Sequence, residues 1–106
     1  MDKLLEILEA TGIPFAYHHF AEGESPEPPF ICYLLPEDDD FAADGINYYP
    51  IDVVQIELYT DKKDLDLEHQ VRDLLTSHDI YYEWDEVWIE EERLYEVIYY
   101  FEMEAL

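Results

Sequence analysis

Cationic side chains are scarce in this chain: Lys3, Lys62, Lys63, Arg72 and Arg93 stand against 28 Asp and Glu, for a formal net charge of −23. Affinity for a nucleic-acid backbone comes largely from Lys and Arg displacing counterions, and five scattered cations make no stripe. Direct binding to nucleic acid or to an anionic membrane surface is not expected. Cysteine is limited to Cys32, so no intramolecular disulfide can form, and its apolar neighbours in Phe30-Ile31-Cys32-Tyr33-Leu34 predict a buried thiol in a reducing compartment. Three glycines leave no phosphate-cradling loop, and Ser25 and Ser77, the only serines, lie outside any nucleophile-elbow pattern. No apolar run approaches the ~20 residues that span a bilayer. The chain passes from Met1-Asp2-Lys3 straight into an amphipathic pattern without the marks of a secretory signal, and a soluble protein inside a cell is expected.

Aromatics, by contrast, are plentiful. Acidic chains are often disordered, but disordered chains are poor in aromatics, and this one has ten Tyr, five Phe and two Trp. At 106 residues with 49% hydrophobic composition, residues 1–106 read as one domain that folds without disulfide or metal.

Leu4, Leu5, Ile7 and Leu8 form an apolar stripe at helical spacing, preceded by Asp2 and followed by Gly12 and Pro14. A helix over 3–11 is predicted. Residues 15–20 read as a strand, 22–29 as a proline-bearing loop, and 30–35 as a strand apolar on both faces. Residues 36–40 make a charged turn, and 41–44 with 47–49 a short irregular hairpin arm broken at Gly45. Residues 51–60 alternate as a central strand, with Val54, Ile56 and Leu58 opposite Val53, Gln55, Glu57 and Tyr59. Leu67, Val71, Leu74 and Leu75 mark a second helix over 65–77. Runs 80–89 and 94–103 flank the polar link 90–93 as a hairpin. The order α-β-β-(β)-β-α-β-β predicts an α+β fold: one antiparallel or mixed β-sheet with two helices packed on one face.

That architecture leaves the other face of the sheet to be explained. Tyr95, Val97, Tyr99, Phe101 and Met103 fall on one side of the last strand, and Glu96, Ile98, Tyr100 and Glu102 on the other. In the hairpin partner Ile80, Tyr82, Trp84 and Trp88 oppose Tyr81, Glu83, Asp85 and Val87. Tyrosine has high strand propensity and tolerates half-exposure, yet aromatics among carboxylates are also the composition of contact patches. Tyr59, Tyr81, Ile98 and Tyr100 are the predicted interface.

Chemistry-bearing clusters fare worse. His18 and His19, taken as adjacent strand residues, point to opposite faces and cannot chelate one ion. Glu68-His69 lacks the second His one turn on that a zinc-protease helix needs and reads as a solvated helix face. Asp38, Asp39 and Asp40 miss the EF-hand spacing, with Ala42 in the fifth position and the glycine late, at Gly45. Among so many acids, a carboxylate pair of the glycosidase kind carries no information. No catalytic residue, cofactor site or metal site is assigned, and an enzyme is not expected.

Longer phrases carry a resemblance: Leu8-Glu9-Ala10-Thr11-Gly12-Ile13-Pro14 with Ala16-Tyr17, Pro28-Pro29-Phe30-Ile31-Cys32-Tyr33-Leu34, Glu57-Leu58-Tyr59-Thr60-Asp61-Lys62-Lys63-Asp64, and Leu94-Tyr95-Glu96-Val97-Ile98-Tyr99. In these the chain resembles the small prophage-encoded proteins of long-tailed phages that serve as tail terminators or in tail completion and head–tail joining. The resemblance implies a virion protein, made in the bacterial host cytoplasm, that docks on tail-tube or head–tail connector proteins. It also implies a homo-oligomeric ring, a hexamer among its candidate sizes, and it transfers no catalytic residues. An acidic wall would let DNA slide past without sticking. The competing expectation is an acidic DNA mimic that inhibits a nucleic-acid-binding protein, which would need carboxylates spaced like phosphates along one surface.

Overall fold

The computed structural model describes residues 2–35 and 51–104, and the expected charged turn and hairpin arm at 36–49 lie outside them. The fold is α+β: a mixed five-stranded sheet with two helices against one face. Helix α1 (Asp2–Ala10) ends where Thr11 Oγ1 donates to the Leu8 carbonyl at 2.6 Å and accepts from the Ile13 amide at 3.1 Å. Gly12 at φ 72 then turns the chain, a backbone state that costs glycine nothing. Helix α2 (Leu65–Ser77) has the predicted bounds, and Asp64 caps it by accepting from the Leu67 amide at 3.0 Å.

The strands are β1 (Phe15–Tyr17), β2 (Phe30–Leu34), β3 (Ile51–Thr60), β4 (Tyr82–Ile89) and β5 (Leu94–Glu104). They lie in the order β1-β2-β3-β5-β4, with β1 parallel to β2 and the other pairs antiparallel. Both faces of β2 are buried at its centre, through Ile31 and Tyr33 on one side and Cys32 on the other.

On the helix side, Leu4, Ile7, Leu8, Val71 and Leu75 meet Ile31, Tyr33, Val54, Ile56, Leu58, Val97, Tyr99 and Phe101 in one core. Each fully buried aliphatic side chain contributes about 1.5–3 kcal/mol. Tyr99, fully buried at the centre of β5, directs its hydroxyl to the backbone carbonyl of Glu68 at 3.4 Å, which links α2 to the sheet. No helix among the described residues is long and apolar enough to cross a membrane.

Three local expectations are corrected. The first strand stops at Tyr17 instead of running to 20, because His18 adopts φ 67 while its amide donates to the Tyr33 carbonyl at 2.8 Å, and the chain then folds back. Strand β4 starts at Tyr82, since the Ile80 amide donates a hydrogen bond to the Leu75 carbonyl at the end of α2 at 3.0 Å and the Ile80 side chain packs in the core. Glu68 does not belong to a solvated face: it is 1% exposed, while His69 beside it is open to solvent.

Candidate functional site

The face of the sheet turned away from the helices is crossed by three register rows. Cys32, Glu57, Ile98 and Asp85 form one; Phe30, Tyr59, Glu96 and Val87 the next; Leu34, Gln55, Tyr100 and Glu83 the third. No described element covers this face. Apolar or aromatic and acidic residues alternate along it, so no row is a continuous ribbon of carboxylates.

At its centre the Tyr59 hydroxyl lies 2.9 Å from Glu57 Oε1 and 3.0 Å from Glu96 Oε2, and Gln55 Nε2 donates to Glu57 Oε2 at 2.7 Å. A phenol has one proton to donate, so only one carboxylate takes it at a time. Burial, and after it the neighbouring Glu57, raise the Glu96 carboxyl above its ordinary range, against the lowering effect of the Tyr59 hydrogen bond. Burial and the same two carboxylates push the Tyr59 phenol upward as well. The Cys32 thiol is pushed up to about 11 by burial, then by Glu57 and Glu96. Phe30 stacks on Tyr59 with ring centroids 5.0 Å apart, and Phe20 meets Phe30 edge-on. The cluster ties β3 to β5 through the Tyr59 hydroxyl and raises the Glu96 carboxyl, the Tyr59 phenol and the Cys32 thiol above their ordinary values.

The structure brings three of the predicted interface residues, Tyr59, Ile98 and Tyr100, onto this one face, with Tyr81 immediately before β4. Their exposure differs. Ile98 is 9% exposed and Tyr59 is half-buried beneath Phe30, whereas Tyr100 is 38% and Tyr81 86% exposed. Tyr81 and Tyr100 border an open hollow of about 600 Å³ together with Val53, Glu83 and Glu102.

A second surface lies along β4, the outer strand beyond β5. Trp84 and Trp88, on the helix side of this strand, are 47% and 44% exposed, and Val87 is exposed on the other side. Arg72 on α2 reaches only as far as Trp84, its guanidinium 4.9 Å from the ring centroid. Beside it Lys63 bridges α2 to β4, with Nζ 2.7 Å from Glu68 Oε2 and 2.6 Å from Glu86 Oε1. Burial would lower the Lys63 ammonium, but its hydrogen bonds to the two glutamates prevail and raise it. This bridge is not among the features expected from the sequence. Its one readable signal was a lysine next to the α2 cap, and the partners lie five and 23 positions away.

His18 and His19 are not adjacent strand residues, because β1 ends at Tyr17. Since His18 is outside the strand, the two rings come together, with His18 Nδ1 2.9 Å from His19 Nδ1, both exposed. Among the described residues no group of three or more His, Cys, Asp or Glu is arranged to hold a metal.

Comparison with protein-family models, with curated proteins and with solved structures found no match.

Proposed function

We propose that this chain is a virion assembly protein of a long-tailed phage or prophage, a tail-terminator or head–tail joining subunit. It works without catalysis, by docking as a homo-oligomeric ring, with a hexamer among its candidate sizes, on tail-tube or connector proteins. The observation that carries the docking reading is the sheet face left uncovered opposite both helices, where Tyr100 and Tyr81 stand exposed around a shared hollow. Aromatic anchors with polar surroundings are the usual make-up of a protein contact. The phage assignment rests on the sequence phrases quoted above. The net charge of −23 adds support, because an acidic lumen repels DNA and lets a genome pass.

The DNA-mimic alternative draws on the same charge. It is less well supported, because the rows Phe30-Tyr59-Glu96-Val87 and Leu34-Gln55-Tyr100-Glu83 interrupt the carboxylates with apolar side chains. The testing experiment is deletion of the coding sequence from its genome, followed by electron microscopy of the particles released. Filled heads with unjoined tails, or tails of irregular length, are expected; normal infectious virions would refute the reading.

A further inference from the structure

Strand β4 ends the sheet, and among the described residues nothing pairs with its outer side. An edge strand presents a row of unpaired N–H and C=O groups, and proteins guard such edges with charge. Here the guard has a specific form: Asp85 Oδ1 accepts a hydrogen bond from the Glu86 amide at 2.8 Å. That amide therefore faces outward, and by the alternation of an antiparallel pair so do the backbone groups of Trp84 and Trp88. The same edge exposes Trp84, Trp88 and Val87 and carries Glu83, Asp85 and Glu86.

We propose that β4 is a strand-addition site for an extended, cationic segment of a partner protein. The incoming strand pairs with the outward backbone groups of Trp84, Glu86 and Trp88. Its Lys or Arg side chains lie beside Glu83 and Asp85, and its alternate side chains pack on the open flanks of the two tryptophans. Such addition takes affinity from main-chain hydrogen bonds and specificity from alternate side chains. Charge selects the occupant. A second copy of this chain would bring Glu83 and Asp85 against the same two acids, and like charges opposite one another destabilise a strand pair. Residues 36–50 of this chain hold five acids and no Lys or Arg, so they are no better matched. A neutral strand would have to displace Asp85 from the Glu86 amide and leave its carboxylate unpaired. A cationic one draws Asp85 away and opens the edge. Glu83 and Asp85 also lie on the uncovered face, but strand addition at this edge requires neither a ring nor a phage partner.

The test is an amide-resolved NMR titration of the full chain, near physiological salt, with a short peptide alternating lysine and valine. Two controls accompany it: the same peptide N-methylated at alternate residues, with its charge unchanged, and a peptide with glutamate in place of lysine. Shifts centred on residues 84–88, roughly tenfold weaker binding of the methylated peptide, and no binding of the glutamate peptide are expected. The double variant Glu83→Lys with Asp85→Lys, both exposed positions, should reverse the preference between the lysine and glutamate peptides. Equal binding of the methylated peptide would mean attraction to net charge alone and would overturn the proposal. So would absence of binding, or β4 shifts that depend on protein concentration without peptide, which would make a second copy the occupant.

Discussion

Tyr59 and Glu96 face each other across β3 and β5, and the Tyr59 hydroxyl sits 3.0 Å from Glu96 Oε2 while also reaching Glu57 at 2.9 Å. Two carboxylates compete there for one phenolic proton, on a partly solvated face. Burial, and Glu57 after it, raise the Glu96 carboxyl, so ionising it costs more in the fold than in the unfolded chain. Its contribution therefore favours the fold below pH 4.5, the ordinary glutamate value, and is lost as pH rises through the raised native value. Glu96→Gln should stabilise the protein at neutral pH by about 0.5 kcal/mol, a small figure because solvent screens the group. Thermal denaturation should show that gain vanish at acidic pH, and a gain independent of pH would contradict the assignment.

Lys63 and Glu68 make the opposite case. Glu68 is buried, with Lys63 Nζ at 2.7 Å and Arg72 no nearer than 3.9 Å. Lys63→Met strands a buried carboxylate and should cost about 2 kcal/mol, less than for a fully buried pair because the lysine is one-third exposed. Glu68→Leu removes the buried charge itself and should cost less than Lys63→Met or stabilise the fold. Urea denaturation of the two variants would decide the order.

Cys32 should be nearly inert in the native state. Its thiol, shifted from 9.0 to about 11, holds roughly a hundredfold less thiolate at pH 8 than an unperturbed one, and access is restricted besides. Reaction with a thiol-specific disulfide reagent should be at least that much slower than in denaturant. Comparable rates would mean that the β2–β3 region opens readily.

Duplex DNA should not bind at physiological salt, since five cations stand against 28 acids and Lys63 and Arg72 are already engaged with Glu68 and Glu86 or Trp84. Fluorescence anisotropy would show salt-sensitive binding if this is wrong. Competition with duplex for a basic DNA-binding protein, beyond that of a charge-matched acidic control, would favour the mimic reading.

Much of the fold was legible because its signals are local. The alternation of Val54, Ile56 and Leu58 and the spacing of Leu67, Val71 and Leu75 each follow from one element's own period. What escaped depended on distant groups or on backbone state. The burial of Glu68 requires Lys63 in the cap loop and Glu86 on β4, and the ring pair His18–His19 requires a positive φ that no side chain announces. The exposure of Trp84 and Trp88 follows from β4 being the edge strand, and that depends on strand order, which periodicity does not encode. For the interface set, alternation put Tyr59, Ile98 and Tyr100 on one face, but how far each is covered by its neighbours was not readable.

Docking is proposed through that uncovered face, whose exposed aromatic within the sheet is Tyr100. Tyr100→Asp places one more charge beside Glu83 and Gln55, its register neighbours, without touching the core. The deciding measurement is sedimentation of Tyr100→Asp together with a tail-completion assay, with Asp73→Ser on the exposed side of α2 as the control and circular dichroism to verify the fold. Tyr100→Asp should fold yet neither form rings nor complete tails, beside a control that does both. A folded Tyr100→Asp that assembles like the parent would mean that this face is not the docking surface.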